Sequence, residues 1–488
     1  MLVPNTNPSH VLAPLKPRPH NLCPGASHPS SRREWLRKSF LGLGGIAAAD
    51  LLTRQGLAAP TAPALTKLHH RAAAKRILFI FLEGGLSQLD SYDHKSALAK
   101  FAGQRLPDSI RPPRFTFAKQ GTVIPSPFPW KRWGESGTLA SDLFPEVNTR
   151  FVDDLCFLHS LHHSSNDHVT AKRVLHTGVP IEIRPTLGSW LVYGLGAMNE
   201  NLPAYIDITP TDPNRPTAFL PGKFGGASIS QIDKKSPRLA WENLDPGFSA
   251  QERHLRFLRE FETADDADPQ IDEMELAFRM QTTAPELLDL ENESPATRKL
   301  YGIGEDHTDE FGRALLLARR FAEAGVRYLT INHATTRYGN LWDQHSDLEN
   351  GHRGNARAVD KPIAGLLHDL KVRGLLEDTL VLCGSEFGRT PTFEFFDGVT
   401  GRHQNGRDHN PHGFTIWLAG AGVKPGYHHG ATDDFGYRAT QDKVDIHDFH
   451  ATLLHLMGID HEALTYFHGG RDYRLTDVSG NVVHGILS

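Results

Sequence analysis

The sequence predicts an α/β fold: a parallel-sheet sandwich covered by helices on both faces, with an insertion or cap over residues 210–300. Three observations predict it. Continuous apolar, β-rich runs recur along the chain, as buried central strands of a parallel sheet require. Amphipathic segments of helical period stand between them, the strand–helix–strand alternation that builds such sheets. Residues 60–488 are enough chain for one large α/β domain with insertions, or for two domains, and are read as the former.

The first run is Arg76-Ile77-Leu78-Phe79-Ile80-Phe81-Leu82, closed by Glu83-Gly84-Gly85. It reads as the central strand, with the Glu83 carboxylate at its C-terminal end, where α/β sheets place their ligands. Thr308-Asp309-Glu310-Phe311 opens a helix that continues through Leu315 to Phe321 and stops at Gly325. Residues 326–331 follow as a strand. The next helix covers 356–372, with Ile363, Leu366, Leu367 and Leu370 on one side. Two more buried strands read from 379–384 and 414–420. Residues 210–300 are polar, carry Pro and Gly early and turn acidic over 260–275. They read as the cap, with helical stretches at 251–261 and 272–280 and the acidic run as a solvated face.

Ahead of the domain, residues 31–40 read Ser-Arg-Arg-Glu-Trp-Leu-Arg-Lys-Ser-Phe, and a small-residue apolar run follows to Ala49. The Arg32–Arg33 pair, the apolar step and the mild apolar region have the order of a twin-arginine export signal. That route carries folded proteins, so the expected location is periplasmic or secreted, with the export machinery as a partner. The run is too short and glycine-rich to span a bilayer, which takes roughly 20 apolar residues. Cleavage is expected near Ala58-Ala59, and an uncut signal would tether the protein to the membrane. Residues 1–30 read as an unstructured leader.

The net charge of −5 supplies no basic field for nucleic acid. Cys23 lies in the leader, leaving Cys156 and Cys383 as one candidate disulfide and excluding a disulfide-stapled fold. The 28 histidines, many of them clustered, point to metal binding or proton transfer.

The polar clusters stand beside the strands. Glu83 ends the first. Trp342-Asp343-Gln344-His345 lies beyond the 326–331 strand, Ser385-Glu386-Phe387-Gly388-Arg389-Thr390 follows the 379–384 strand, and Arg407-Asp408-His409-Asn410-Pro411-His412-Gly413 precedes the 414–420 strand. A parallel sheet gathers its strand C-termini on one edge, so distant segments converge there. Carboxylate and imidazole together suit Zn, Mn or Fe, whereas oxygen ligands alone suit Ca or Mg. Glu83, Asp343, His345, Glu386, His409 and His412 are therefore the candidate ligands of a divalent metal site for one or two ions, with Zn, Mn or Ca expected. Each has an ordinary reading too: a turn cap for Glu83, a surface pair for Asp343 and His345, an ion pair for Glu386 with Arg389, loop histidines for His409 and His412.

Four of these segments, Leu82-Glu83-Gly84-Gly85-Leu86-Ser87-Gln88-Leu89-Asp90, Trp342-Asp343-Gln344-His345, Gly384-Ser385-Glu386-Phe387-Gly388-Arg389-Thr390-Pro391 and Gly406-Arg407-Asp408-His409-Asn410-Pro411-His412-Gly413, resemble a bacterial family known as domain of unknown function 1501. The tail from Asp448-Phe449-His450 to Ile459-Asp460 fits as well. The family in turn resembles the alkaline phosphatase and sulfatase superfamily, whose members hydrolyse phosphate or sulfate esters with one or two metals at the end of a parallel sheet. The resemblance implies an alkaline phosphatase-like domain. It aligns Glu83 with the acidic ligand of the first strand, Asp343 and His345 with a longer-spaced Asp–His pair, and His409 or His412 with the last histidine. Phe387 stands where that superfamily has a ligating histidine. The nucleophile segment aligns with Asn166-Asp167-His168 ahead of the helix that ends in Thr177-Gly178, so Asp167 or His168 stands where Ser, Thr or Cys is usual. The sulfatase Cys-x-Pro-x-Arg motif is absent.

These alignments imply an exported metal-dependent hydrolase of sulfate or phosphate esters, acting on a small molecule or polysaccharide. Asp167 would be nucleophile or His168 base, or water would attack directly, with Ser87 the fallback nucleophile four residues beyond Glu83. Arg389 would clamp an anion through its planar fork or pair with Glu386, with Lys172 and Arg173 the alternative anion contacts. Trp342, Trp190 and Tyr338 would offer stacking faces to a sugar, with core packing the leading reading for Trp190. The alternative is a non-catalytic exported metal- or glycan-binding protein of the same fold.

Overall fold

Strand β1 (Arg76–Leu82) is buried along its whole length, as its unbroken apolar run requires. The structure, a computed structural model, describes residues 64–110, 119–181, 183–209, 217–229, 284–335, 337, 341–395 and 405–488. All of these lie in the unit Ala59–Ser488. The expected export signal, Tyr338 and the helices expected at 251–261 and 272–280 fall outside the described residues.

The central sheet continues with β2 (Leu155–His162), β3 (Tyr205–Ile208), β4 (Ala227–Ile229), β5 (Tyr328–His333), β6 (Thr379–Gly384), β7 (Phe414–Gly420), β8 (Tyr427–His429) and β9 (Val444–Asp445). Its order is β8-β2-β7-β6-β1-β5-β3-β4, with β9 also pairing β2. β1 runs parallel to both neighbours, with Phe79 opposite Thr330 of β5 and Leu382 of β6. β4 brings part of the expected cap region into the sheet, parallel to β3.

One strand departs from the parallel arrangement. β7 pairs antiparallel with both β6 and β2. Its N-terminal end therefore lies at the edge where β1, β5 and β6 have their C-terminal ends. This reversal carries Asp408 and His409, which precede β7, to the side of Glu83 and Glu386. In a wholly parallel sheet they would lie on the opposite edge.

Helices cover both faces. They are α1 (Pro145–Phe151), α2 (His168–Thr177), α3 (Leu187–Leu195), α4 (Asp309–Glu323), α5 (Leu348–Val372) and α6 (Ile446–Leu456). The period-2 alternation of β1 divides the core. Leu78, Ile80 and Leu82 pack with Leu315 and Phe321 of α4 and with Leu366 and Leu370 of α5. Ile77, Phe79 and Phe81 pack with Leu175 of α2, Leu191 of α3 and Leu453 of α6. Truncating one such side chain, as in Phe81→Ala, would cost about 3–5 kcal/mol.

Helix α5 begins eight residues before the expected start at 356 and runs through Pro362. Its first turns, rich in Glu, Asn, Gly and Arg, resemble a loop in sequence, yet Gly351 and His352 are buried. A Cβ on Gly351 would meet the Gln344 side chain at 2.4 Å, so this helix start packs tightly under the 342–345 loop.

Cys156 and Cys383 are both free. They sit on strands separated by β7 and belong to cores on opposite sheet faces, beyond disulfide reach. Trp190 and Trp342 are fully buried core residues and offer no face to a sugar. No helix among the described residues is long and apolar enough to cross a membrane.

Candidate metal centre

Four loops and one helix start meet at the shared edge. The turn after β1 passes directly under the 342–343 segment. Gly84 has φ +112° there, and a Cβ on it would stand 2.7 Å from Trp342 N and 2.8 Å from Asp343 N. Only glycine permits this approach. Arg389 pairs with His409 in a short antiparallel ladder, Gly388–Arg389 with His409–Asn410, which ties the loop after β6 to the one before β7. The first residue of α2, His168, comes down onto the same spot.

Asp343 is the centre of the group. Its Oδ1 is 2.9 Å from His345 Nε2, 3.0 Å from His409 Nε2 and 2.6 Å from an Arg389 Nη2. Its Oδ2 is 3.2 Å from His168 Nε2. That nitrogen is buried and makes no aligned hydrogen bond. Two overlapping sets, His168–Asp343–His409 and His345–Asp408–His409, each place their ligand atoms within 4.8 Å of one another.

The other ring nitrogens show what these imidazoles are arranged to do. His168 Nδ1 donates to Glu386 Oε1 at 2.6 Å, and His409 Nδ1 donates to the Asn166 carbonyl at 2.7 Å. With Nδ1–H engaged, Nε2 is the nitrogen left facing Asp343, a lone pair in the neutral ring and an N–H in the protonated one. Metal-binding histidines are commonly held this way, one nitrogen on the ion and the other on a carboxylate or carbonyl. The donor set therefore fits a divalent transition metal.

Electrostatics agree. Burial opposes the charged form of Asp343, but the Arg389 guanidinium and the His168, His345 and His409 rings around it hold it far below the usual carboxylate range. Burial pushes His409 down to about 4, leaving a neutral imidazole. Burial also opposes the charge on His168, yet hydrogen bonds to Asp343 and Glu386 take it up to about 9. A proton thus competes with metal for the same spot.

The structure brings Asp343, His345, His409, Glu386 and His168 together and gives the other expected site residues different work. Glu386 has no exposed surface; it orients His168 and accepts the Gly84 N–H at 3.1 Å. Glu83 pairs with Lys172 at 2.6 Å, and its second oxygen is buried without a hydrogen bond. Asp167 turns back to cap α2, accepting from Thr170 N at 3.0 Å. Ser87 is buried and gives its hydroxyl to Asp90, which is held by Arg407 at 2.8 Å. Arg389 has no exposed surface and binds the carbonyls of Gly84, Gly85, Trp342 and Arg407 as well as Asp343, so it fastens the loops rather than clamping an external anion. His412 lies three residues past His409, beside His163 and Arg438, and is in neither converging set. Phe387 walls the group, its ring 4.4 Å from His409 and 4.9 Å from His168.

Two contributions were missed in the sequence. Asp408 joins one converging set, and its adjacency to His409 was the available signal. The buried Asp90–Arg407 pair fixes the loop that carries Asp408 and His409, and its 317-residue separation left no local signal.

A family described as Protein of unknown function (DUF1501) matches residues 74–487. No curated protein matches the chain. Similar solved structures include a protein in the alkaline phosphatase superfamily from Vibrio parahaemolyticus, with 10% identity, 80% of this chain and 68% of that one covered, and a TM-score of 0.34. The PsFucS1 sulfatase from Pseudoalteromonas sp. has 13% identity, coverages of 80% and 69%, and a TM-score of 0.34. The alkaline phosphatase of the Antarctic bacterium TAB5 has 9% identity, coverages of 79% and 98%, and a TM-score of 0.32. These likenesses are too distant to carry a substrate or a mechanism to this chain.

Proposed function

This chain belongs to the DUF1501 family, and we propose that it is an exported metal-dependent hydrolase of sulfate or phosphate esters, acting on a sulfated or phosphorylated small molecule or polysaccharide. The observation that carries the reading is the convergence of His168, Asp343 and His409 with both imidazoles tied back through Nδ1. An imidazole-rich set favours Zn or Mn over Ca. A divalent ion in such a site neutralises charge on an ester oxygen and lowers the pKa of water.

The chain's own groups divide the remaining work. Asp343, His168 and His409 hold the ion, with His345 and Asp408 available to the same ion or a second. Glu386 fixes the His168 ring and Arg389 fixes Asp343. Lys172 stands one helical turn from His168 on the same face of α2, its ammonium paired with Glu83 at 2.6 Å, so it would contact an anionic ester only by sharing or leaving that carboxylate. Asp167 and Ser87 are engaged elsewhere, which leaves water as the attacking group. A site assembled from residues 168 to 409 exists only in the folded chain, consistent with export by a route for folded proteins.

The engagement of Asp167 and Ser87 also favours the rival, a non-catalytic exported binding protein of this fold. Elemental analysis of the purified chain, with turnover of an aryl phosphate and an aryl sulfate, separates the two. Bound Zn or Mn and a turnover that Asp343→Asn abolishes support the hydrolase. Stoichiometric metal without turnover supports the rival, and a chain that takes up no metal at this site sinks the hydrolase and the metal-binding form of the rival.

A further inference from the structure

A second group of histidines lies at the far edge of the sheet. Ala73 N and Ala74 N both donate to the Leu456 carbonyl just before β1 begins, which places the end of α6 at the N-terminal edge of the strands. The centre described above lies at the C-terminal edge, about 20 Å away at roughly 3.3 Å per strand residue. Three segments meet at this far corner: the stretch entering β1, the end of α6 and the C-terminal residues, where Lys424 N donates to the Ile486 carbonyl. Each contributes a histidine. His70 and His455 have ring centroids 4.2 Å apart, and His455 and His484 are 5.6 Å apart at 78°. His69 stands beside them, its Nδ1 accepting from Asp460 N at 2.9 Å.

The ring nitrogens of the three are nearly all uncommitted. His70 Nδ1 makes a 3.3 Å contact with the adjacent Arg71 carbonyl. His70 Nε2 is buried with no hydrogen bond, and neither ring of His455 or His484 has a hydrogen-bond partner among the described residues. A buried ring nitrogen left unpaired, here His70 Nε2, is unfavourable until a water or a bound ion satisfies it. Neither these histidines nor a carboxylate beside them forms a converging set as they stand.

We infer that His70, His455 and His484 form a second metal site, selective for an imidazole-binding transition cation such as Zn(II) or Cu(II) over Ca or Mg. Their nitrogens do not converge as they stand, so binding requires a rotation of His484, which is exposed. The bound cation would join the segment leading into β1, the α6 end and the C-terminus, clipping both chain ends of the domain to one helix. This inference does not depend on the proposed hydrolase activity.

The test is a calorimetric titration of the full, chelator-treated chain with Zn(II). The parent should show two classes of site. Asp343→Asn should lose the class at the sheet's C-terminal edge and keep the other; the double variant His455→Gln/His484→Gln should do the reverse. Should the double variant fail to fold, His484→Gln alone, at an exposed position, should weaken the second class by more than about tenfold, beyond the loss of a mere supporting contact. Cu(II) bound by the Asp343→Asn chain should show hyperfine coupling to imidazole nitrogens in its electron paramagnetic resonance spectrum. The inference is overturned if the double variant, or His484→Gln in its place, titrates like the parent. It is also overturned if Asp343→Asn binds no metal, or if that Cu(II) spectrum shows oxygen ligands only. Conversely, a parent chain with the histidine class alone would sink the hydrolase site and leave this one standing.

Discussion

Glu386→Gln is the substitution that best separates an orienting carboxylate from a metal ligand. Glutamine keeps the shape and an acceptor for the Gly84 N–H, but removes the charge that receives His168 Nδ1–H at 2.6 Å. A hydrogen bond to a charged, buried group is worth about 1.5–3 kcal/mol. If that energy holds the His168 ring for metal, its loss weakens binding by about 10- to 150-fold at 1.4 kcal/mol per decade. The metal-free protein should lose only a few degrees of Tm, because the buried donor on Gly84 still has its partner. The assay is competition for Zn(II) against a chromophoric chelator at pH 7.5, paired with the visible spectrum of the Co(II)-loaded protein. The spectrum should keep its band positions, since the ligand atoms are unchanged. A change in affinity below about threefold would refute the orienting role. A shifted Co(II) spectrum would make Glu386 itself a ligand.

Arg389→Met should be far more damaging to folding. It strands four backbone carbonyls and the Asp343 carboxylate in a site with no exposed guanidinium surface. Breaking a buried ion pair costs about 3–5 kcal/mol before the carbonyls are counted, and a urea midpoint within error of the parent would contradict this. Acid should unfold the protein early, because burial pushes His159, His333 and His352 down to about 3 and His450 to about 4. Below pH 6.5 the unfolded chain binds these protons and the folded one does not, so stability present above 6.5 falls with pH by up to about 1.4 kcal/mol per unit per histidine. Asp360, raised to about 7 by burial, offsets one of the four. Urea midpoints at pH 7.5, 6.5 and 5.5 should therefore decline, and a flat series would be the contrary result. Replacing Arg32 and Arg33 by Lys should leave a cytoplasmic precursor, and an unchanged periplasmic yield would remove the twin-arginine reading.

Local pattern determined much of this protein. β1 and β6 were legible because a buried strand needs an unbroken apolar run, and α4 because its apolar side chains repeat with helical period between a polar start and Gly325. The segments that form the candidate metal centre were legible for a similar reason: carboxylates and imidazoles cluster where strands meet loops, so Asp343, His345, Glu386 and His409 all stood out. Their roles did not. Whether Glu386 binds a metal or orients His168 depends on a bond between residues 218 apart in sequence. Arg389 reads as an anion clamp until the turn after β1, the 342–343 segment and the 407–409 loop close over its guanidinium. His409 and His412 are equivalent in sequence, and pairing with Arg389 selects the first. The direction of β7 was equally hidden, because composition fixes that a strand is buried but only its partners fix which way it runs. Segment identity thus came from the sequence, since burial and periodicity act over a few residues. Strand direction, ring tautomer and ligand choice came from tertiary structure, since each is set by contacts between groups that the chain itself keeps far apart.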